Sequence, residues 1–308
     1  MARTLRRALA AACGALLLGG LILAGGPAAA GSPAAPQGEG LAWRLRGPGG
    51  GTVYLVGSMH LLRAGDAALP EAFDRAYAEA ERLVMEIDVD DVDPAAAAAF
   101  TRTHASFAPG TSLREALGGR RWRRARAAFQ RLGLRIEALD GLEPWAVALL
   151  YSVSSMADLG FEPGLGVEEQ LKARAVADRK PIEGLETVED QLGLFDALAP
   201  ADQARFLDLA LDDAAGAARE LDVLTRAWRE GDARALSRLL LREYRRFPSL
   251  YEPLVHGRNR SWIPRIEQLL AGGDDALVVV GALHLVGEQG LVALLRERGL
   301  AFEPYRPH

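Results

Sequence analysis

Two segments of the chain repeat one pattern, and that repetition constrains the fold more than any other feature. VYLVGSMHLL (53–62) and LVVVGALHLV (277–286) each run an apolar strand into Gly-x-x-His-Leu. A helix and a further strand candidate follow each copy, Leu83–Val89 after the first and Leu300–Tyr305 after the second. Two copies are too few for a solenoid. The pattern instead predicts two halves of one sheet, each placing a histidine just past a strand's carboxyl end, the edge where ligands of open α/β sheets gather. The glycine three residues before each histidine lets the backbone turn sharply with no Cβ in the way. Of five histidines in the chain, two, His60 and His284, hold these equivalent places.

The rest of the chain fills in around this frame. Leu41–Leu45, a glycine-rich turn at Gly47–Gly51 and Thr52–Val56 read as a hairpin. Pro70–Arg82 has helical spacing, and Asp93-Pro94 offers a cap and a preset φ for the next helix. From about 94 to 178 the signal is helical, including the very apolar Pro144–Leu159 and a helix from Val167 to Asp178. Lys180–Gly184 is a short strand candidate, residues 187–245 are helical again, and Ala276–Gly281 is a buried strand. A helix over Val286–Arg298 precedes the last strand. The expected class is therefore α/β (α+β): a central mixed sheet built from two strand-GxxH-helix-strand halves and covered by many helices. Residues 41–308 form a single domain in this reading, with a helical insertion at about 94–178.

The N-terminus reads as an address. Arg3, Arg6 and Arg7 precede an apolar run over 8–25, and Ala28-Ala29-Ala30 gives the small-x-small cleavage pattern of a signal peptide over 1–30. Residues 31–40 are a Pro/Gly/Ser-rich flexible linker. The expectation is an exported protein, periplasmic or secreted, with an uncleaved N-terminal anchor as the alternative and no other membrane span. Removing residues 1–30 takes away three Arg and no acid, moving the formal charge from −5 to −8. It also removes Cys13, the only cysteine, which excludes thiol nucleophiles, disulfides and thiolate-bound metals from the mature chain. That acidic balance gives no reason to expect nucleic acid, and the cluster Arg120-Arg121-Trp122-Arg123-Arg124 reads as a solvated helix face.

Histidine and carboxylate remain as the groups around which a site can be built. Glu86 falls in the middle of LVMEIDV, a costly place for a carboxylate without a partner. Alternation puts Val84, Glu86 and Asp88 on one face and Met85, Ile87 and Val89 on the other. Structurally Glu86 could pair with an arginine; functionally it could face the two histidines as a ligand or general base. No HExxH helix, Walker loop or GxSxG elbow occurs. Asp88, Asp90, Asp91 and Asp93 lack the Gly and Glu spacing of a calcium loop. His104, His256 and His308 have no matched context and read as structural or surface residues.

VGSMHL (56–61), MEID (85–88), GVEEQLKARAVADRKPIEGLETVEDQ (166–191), YEPLVHGRNRSW (251–262) and GALHLVGEQGLVALLRERG (281–299) occur here in an order that resembles the TraB/GumN/Tiki family. The resemblance covers essentially everything after residue 40. It implies a fold similar to erythromycin-esterase-type and haem-binding ChaN-type proteins. Animal members look like membrane-tethered, divalent-metal-dependent proteases, in which the two GxxH histidines and a strand glutamate form the metal centre. Carried over residue by residue, that implies His60, Glu86 and His284 as metal ligands and catalytic groups for a divalent transition metal (Mn, Co or Zn). Glu168, Gln191, Arg258 and Asn259 become substrate-facing or supporting groups. Glu168 stands where Asp is the commoner residue of the family motif, which lengthens the reach of its carboxylate. Glu186 could be a general base or orient a histidine, or could simply be an acid at the helix start before Thr187. Two imidazoles and a carboxylate can hold a metal with an open position for water, which suits amide hydrolysis. The leading expectation is an exported metal-dependent hydrolase acting on a peptide or small-molecule substrate. The alternatives are a metal-independent esterase-like hydrolase and a non-catalytic binder of signal peptide or haem.

Overall fold

The computed structural model describes residues 40–88, 99–100, 102–211, 214–244 and 247–306. The segment expected to be a signal peptide, all but the last residue of the expected linker, Val89, the expected Asp93-Pro94 cap, Asp90, Asp91 and His308 lie outside the described residues.

Six strands form one mixed sheet: β1 (Ala42–Arg46), β2 (Thr52–Ser58), β3 (Arg82–Met85), β4 (Ile182–Gly184), β5 (Ala276–Gly281) and β6 (Phe302–Pro304), in the order β4-β3-β5-β2-β1-β6. The hairpin forms as its turn residues predict, with β1 antiparallel to β2. The duplicated strands β2 and β5 lie side by side and parallel, Val53 opposite Ala276 through Ser58 opposite Gly281. β3 is parallel to both β5 and β4, and β6 closes the sheet against β1. Five strands, all but β1, therefore point their carboxyl ends to the same edge.

The helices are α1 (Glu71–Glu79), α2 (Leu113–Arg131), α3 (Pro144–Asp158), α4 (Val167–Asp178), α5 (Val188–Asp196), α6 (Pro200–Ala210), α7 (Ala214–Arg229), α8 (Ala233–Tyr244), α9 (Pro248–Tyr251), α10 (Arg258–Ala271), α11 (Ala282–Leu285) and α12 (Leu291–Glu297). Local chemistry sets several of their starts. Ser112 and Glu115 form a capping box on α2, Thr187 and Asp190 form another on α5, and Pro144 opens α3 where its missing N–H costs nothing. No helix among the described residues is long and apolar enough to cross a membrane.

The sheet is buried on both faces, as a largely parallel sheet must be. Tyr54, Val56, Leu83, Met85, Leu277 and Val279 face one apolar cluster. Val53, Leu55, Val84, Val278 and Val280 alternate onto the other, against Ile263 and Ile266 of α10 and Leu291 and Leu295 of α12. Among the described residues the helices over 99–178 share the core of the sheet. Leu113, Phe129, Trp145 and Leu149 join the first cluster together with the sheet residues.

Three local expectations are corrected. The strand expected over Leu83–Val89 ends at Met85, so Glu86 stands just beyond the strand rather than within it. Its neighbours still alternate as expected, Met85 and Ile87 in one cluster and Val84 in the other. The strand expected over Lys180–Gly184 shortens to Ile182–Gly184. The helix expected from Val286 begins at Leu291, because a separate single turn, Ala282–Leu285, intervenes and carries His284.

Candidate functional site

The carboxyl ends of β2, β3, β5 and β4 bring together His60, Glu86, His284 and Glu186, groups that the sequence spreads over most of its length. Gly281 is the hinge of the arrangement. Its backbone N–H donates to Glu86 Oε1 at 2.8 Å. A Cβ at this position would sit 3.0 Å from His60 Nε2 and 3.4 Å from Glu86 Oε1, so a larger residue would push these side chains back by a few tenths of an ångström. The two motifs are not superposed across the strand pair: Gly57 faces Val280, one residue out of step with Gly281.

One half of the site is built by α4. Its start docks on the loop after β2, where the Val167 N–H donates to the Met59 carbonyl at 3.0 Å. Gly166 allows this approach, since a Cβ there would lie 2.1 Å from the His60 carbonyl oxygen. Docking carries Glu168 to His60, with Oε1 2.6 Å from Nδ1. Ser58 Oγ donates to the same oxygen. The His60–Glu168 approach is an ion-pair contact without hydrogen-bond alignment, and among the described residues His60 Nδ1 and Glu168 Oε2 have no hydrogen-bond partner. Burial is the largest single influence and works against a charged His60 ring, but the carboxylates of Glu168 and Glu86 together outweigh it and raise the ring above the ordinary histidine value. No protein group bonds to His60 Nε2 among the described residues, and the residue keeps 7 % exposure.

The other half is built by α10. A π-helical segment, Glu252–Gly257, leads into it, and beyond that segment Arg258 and Asn259, adjacent in sequence, are both buried at the sheet edge. Arg258 Nη2 donates to Glu86 Oε2 and to Glu186 Oε1, both at 2.5 Å. Its Nε donates to Glu186 at 2.9 Å. Its Nη1 approaches the Leu254 carbonyl at 3.3 Å and His284 Nε2 at 3.2 Å. Every N–H of the guanidinium is thereby engaged. Trp262 stacks its ring 4.7 Å beneath the guanidinium, lies 4.6 Å from the His284 ring, and donates from Nε1 to Glu186 Oε2 at 3.1 Å.

The hydrogen bonds fix the tautomer of His284. Asn259 Nδ2 donates to the Gln289 carbonyl at 2.7 Å, which turns Oδ1 toward His284 Nδ1 at 2.6 Å. That oxygen can only accept, so Nδ1 carries the proton and Nε2 keeps a lone pair for Arg258. Burial pushes His284 down to about 3, and the neighbouring Arg258 charge acts in the same direction. Burial would lift Glu86, yet Arg258 above all holds its carboxyl down at about 2. Burial raises Glu186 from its ordinary value even with Arg258 beside it.

Each residue singled out in the sequence is thus placed. His60 and Glu168 form one pair. Glu86, His284, Glu186, Arg258 and Asn259 form one connected network, which Gln191 joins through Nε2, 3.0 Å from Glu186 Oε1. Glu86 pairs with an arginine, as its structural reading expects, and the same carboxylate lies 3.7 Å from His284. Glu186 is not the helix-start acid: Thr187 caps α5, and Glu186 turns inward with both oxygens taken by Arg258, Trp262 and Gln191. Arg258 has no donor left for a substrate, and Asn259 is fully buried. Gln191 Oε1 is buried without a partner among the described residues. Ser58, Gly166 and Trp262 are additions that the sequence reasoning missed, although all three lie inside the quoted motifs or the strand that leads into them. Adjacency to a motif histidine is the signal that could have found Ser58.

Of the expected ligands of a divalent metal, His284 Nε2 stands 3.7 Å from Glu86 Oε1, a spacing a metal could bridge. However, the lone pair of His284 and Glu86 Oε2 are turned onto the Arg258 guanidinium, and Glu86 Oε1 onto the Gly281 N–H. A fixed cation at this place opposes a second one. Among the described residues no group of three or more His, Cys, Asp or Glu side chains is arranged to hold a metal ion. The residues as placed do not fit the expected metal centre.

The sequence pattern described as the TraB/PrgY/gumN family matches residues 41–304, the whole sheet and the whole site. Two curated relatives, from Escherichia coli (strain K12) and Shigella flexneri, both carry the name Uncharacterized protein YbaP. Each is 26 % identical to this chain over 249 residues, covering 81 % of this chain and 89 % of the relative. No solved structure matches the chain.

Proposed function

This chain belongs to the TraB/PrgY/gumN family, and from that premise and the geometry above we propose that it is a metal-independent hydrolase in which His60 is the general base. One observation carries the reading: Glu168 sits 2.6 Å from His60 Nδ1 while Nε2 faces the site with no protein partner among the described residues. His284, by contrast, has both ring nitrogens occupied. In the proposed reaction His60 Nε2 takes a proton from water. The resulting hydroxide adds to a substrate carbonyl, and the imidazolium returns the proton to the leaving group. Glu168 holds the ring and stabilises its charged form. Glu86, Arg258, Glu186 and His284 make a rigid, buried charge frame behind it. The metal-dependent version expected from the sequence, with His60, Glu86 and His284 as ligands, would require Arg258 to leave Glu86 and His284.

The substrate class is a peptide or a small ester, met outside the cytoplasm if residues 1–30 act as an export signal. Screening purified protein against peptide and ester libraries, with and without a strong chelator, tests the reading. Turnover that survives chelation and disappears in His60→Ala is the expected result. Turnover lost to chelator and restored by Mn, Co or Zn ions would replace it with the metal-dependent reading. Tight peptide or haem binding without turnover would leave a binding protein.

A further inference from the structure

We infer that Arg258 is the resident cation of this centre, filling the place of a divalent metal, and that its removal uncovers a metal site at Glu86 and His284. Three features of the surroundings support this. Asn259 holds Nδ1–H of His284, leaving Nε2 as a lone pair aimed into the cluster. That is how outer partners prepare a metal-ligating histidine. Glu86 Oε1 lies 3.7 Å from that lone pair, close to the separation of about 3.4 Å between ligands on a tetrahedral ion with bonds near 2.0–2.1 Å. His60 Nε2 lies on the same side of Gly281 as Glu86 Oε1.

What stands among these donors is the guanidinium, 2.5 Å from Glu86 and 3.2 Å from His284, and 3 % exposed. It neutralises part of the negative charge that two buried glutamates bring and leaves no lone pair of His284 uncommitted. A divalent ion a few ångströms from this fixed charge would be repelled by an amount worth at least about a thousandfold in affinity. With Arg258 gone, Glu86 and Glu186 would be buried without a counter-charge, and a divalent cation would relieve that. The hydrolase reading shares this cluster but fails separately: it is read by turnover, whereas this inference is read by metal uptake.

The test titrates the full chain with Co²⁺, followed by its visible absorption, and checks Zn²⁺ by elemental analysis after dialysis. Wild type and Arg258→Lys, which keeps the charge, should take up neither ion. Arg258→Gln should bind one equivalent at least about a thousandfold more tightly than wild type, and the added substitution His284→Gln should abolish the gain. Circular dichroism checks each variant. If Arg258→Gln fails to fold, the double variant Glu186→Gln/Arg258→Gln takes its place, because it buries one less unpaired charge. Stoichiometric uptake by wild type that is lost in His284→Gln would overturn the inference. So would a folded Arg258→Gln variant, single or double, that takes up no metal.

Discussion

His60 and His284 occupy the same place in the same motif, yet they are chemically opposite. His60 follows β2, meets a carboxylate through Nδ1, stays slightly exposed and is raised above the ordinary histidine value. His284 follows β5, meets an amide and a guanidinium, is 0 % exposed and is pushed down to about 3. The difference comes from what packs over each strand end. A carboxylate beside a buried ring supplies the charge that offsets desolvation; an amide supplies none, and a guanidinium opposes protonation. A duplicated motif therefore yields one ring free to exchange a proton and one locked as a neutral acceptor.

The largest expected effect separates the two rings directly. His60→Ala should lower kcat/KM by about 10²- to 10⁴-fold with little change in the unfolding midpoint. His284→Ala should instead cost stability, about 1–3 kcal/mol for each buried partner left unsatisfied. Steady-state kinetics beside chemical denaturation of both variants decides the matter. Equal loss of turnover with unchanged stability in His284→Ala would break the comparison. Next, Arg258→Met should destabilise the protein by about 3–5 kcal/mol, because it leaves Glu86 and Glu186 buried without a counter-charge.

Gly166→Ala places a methyl against the His60 carbonyl, and overpacking of this kind costs about 1–3 kcal/mol. Its sharper effect should fall on turnover, since the same shift moves Glu168 away from His60. The same substitution should leave His284 chemistry untouched.

Two pH responses, arising from pKa shifts of opposite sign, complete the contrast. His60 acts as a base only when neutral, so turnover should rise with pH on a limb centred above the ordinary value of 6.5. Glu168→Gln removes the charge that raises the ring, and should shift that limb downward. For stability, the unfolded chain binds a proton on His284 near 6.5 while the folded chain resists it down to about 3. Stability should therefore fall as the pH drops through this window, with Glu86 adding to the loss below 4.5. A melting series against pH should show this slope, flattened in His284→Gln.

Much of the frame is legible in the sequence. Strands and helices with strong periodicity, such as Ala276–Gly281 and Val167–Asp178, fall on the expected residues. The two motif strands belong to one sheet as expected, and the structure pairs them directly. LVMEIDV reads too long because alternating apolar residues look like strand whether or not a neighbouring strand continues beside them. β5 accompanies β3 only to Met85, and β4 ends at Gly184 opposite it. The helical spacing after β5 likewise hides the break that leaves His284 on a separate turn.

What the sequence determined by itself was the pair of strand ends, the glycines that leave room for close packing there, and the set of histidines and carboxylates. Those are consequences of short-range sterics and of burial patterns that repeat every second residue. What only the tertiary structure decided was the charge state of each group. Arg258 reaches Glu86 across 172 residues and Ser58 reaches Glu168 across 110. The electrostatic fate of a buried ring depends on such partners, and no local pattern around a histidine records which distant helix will cover it.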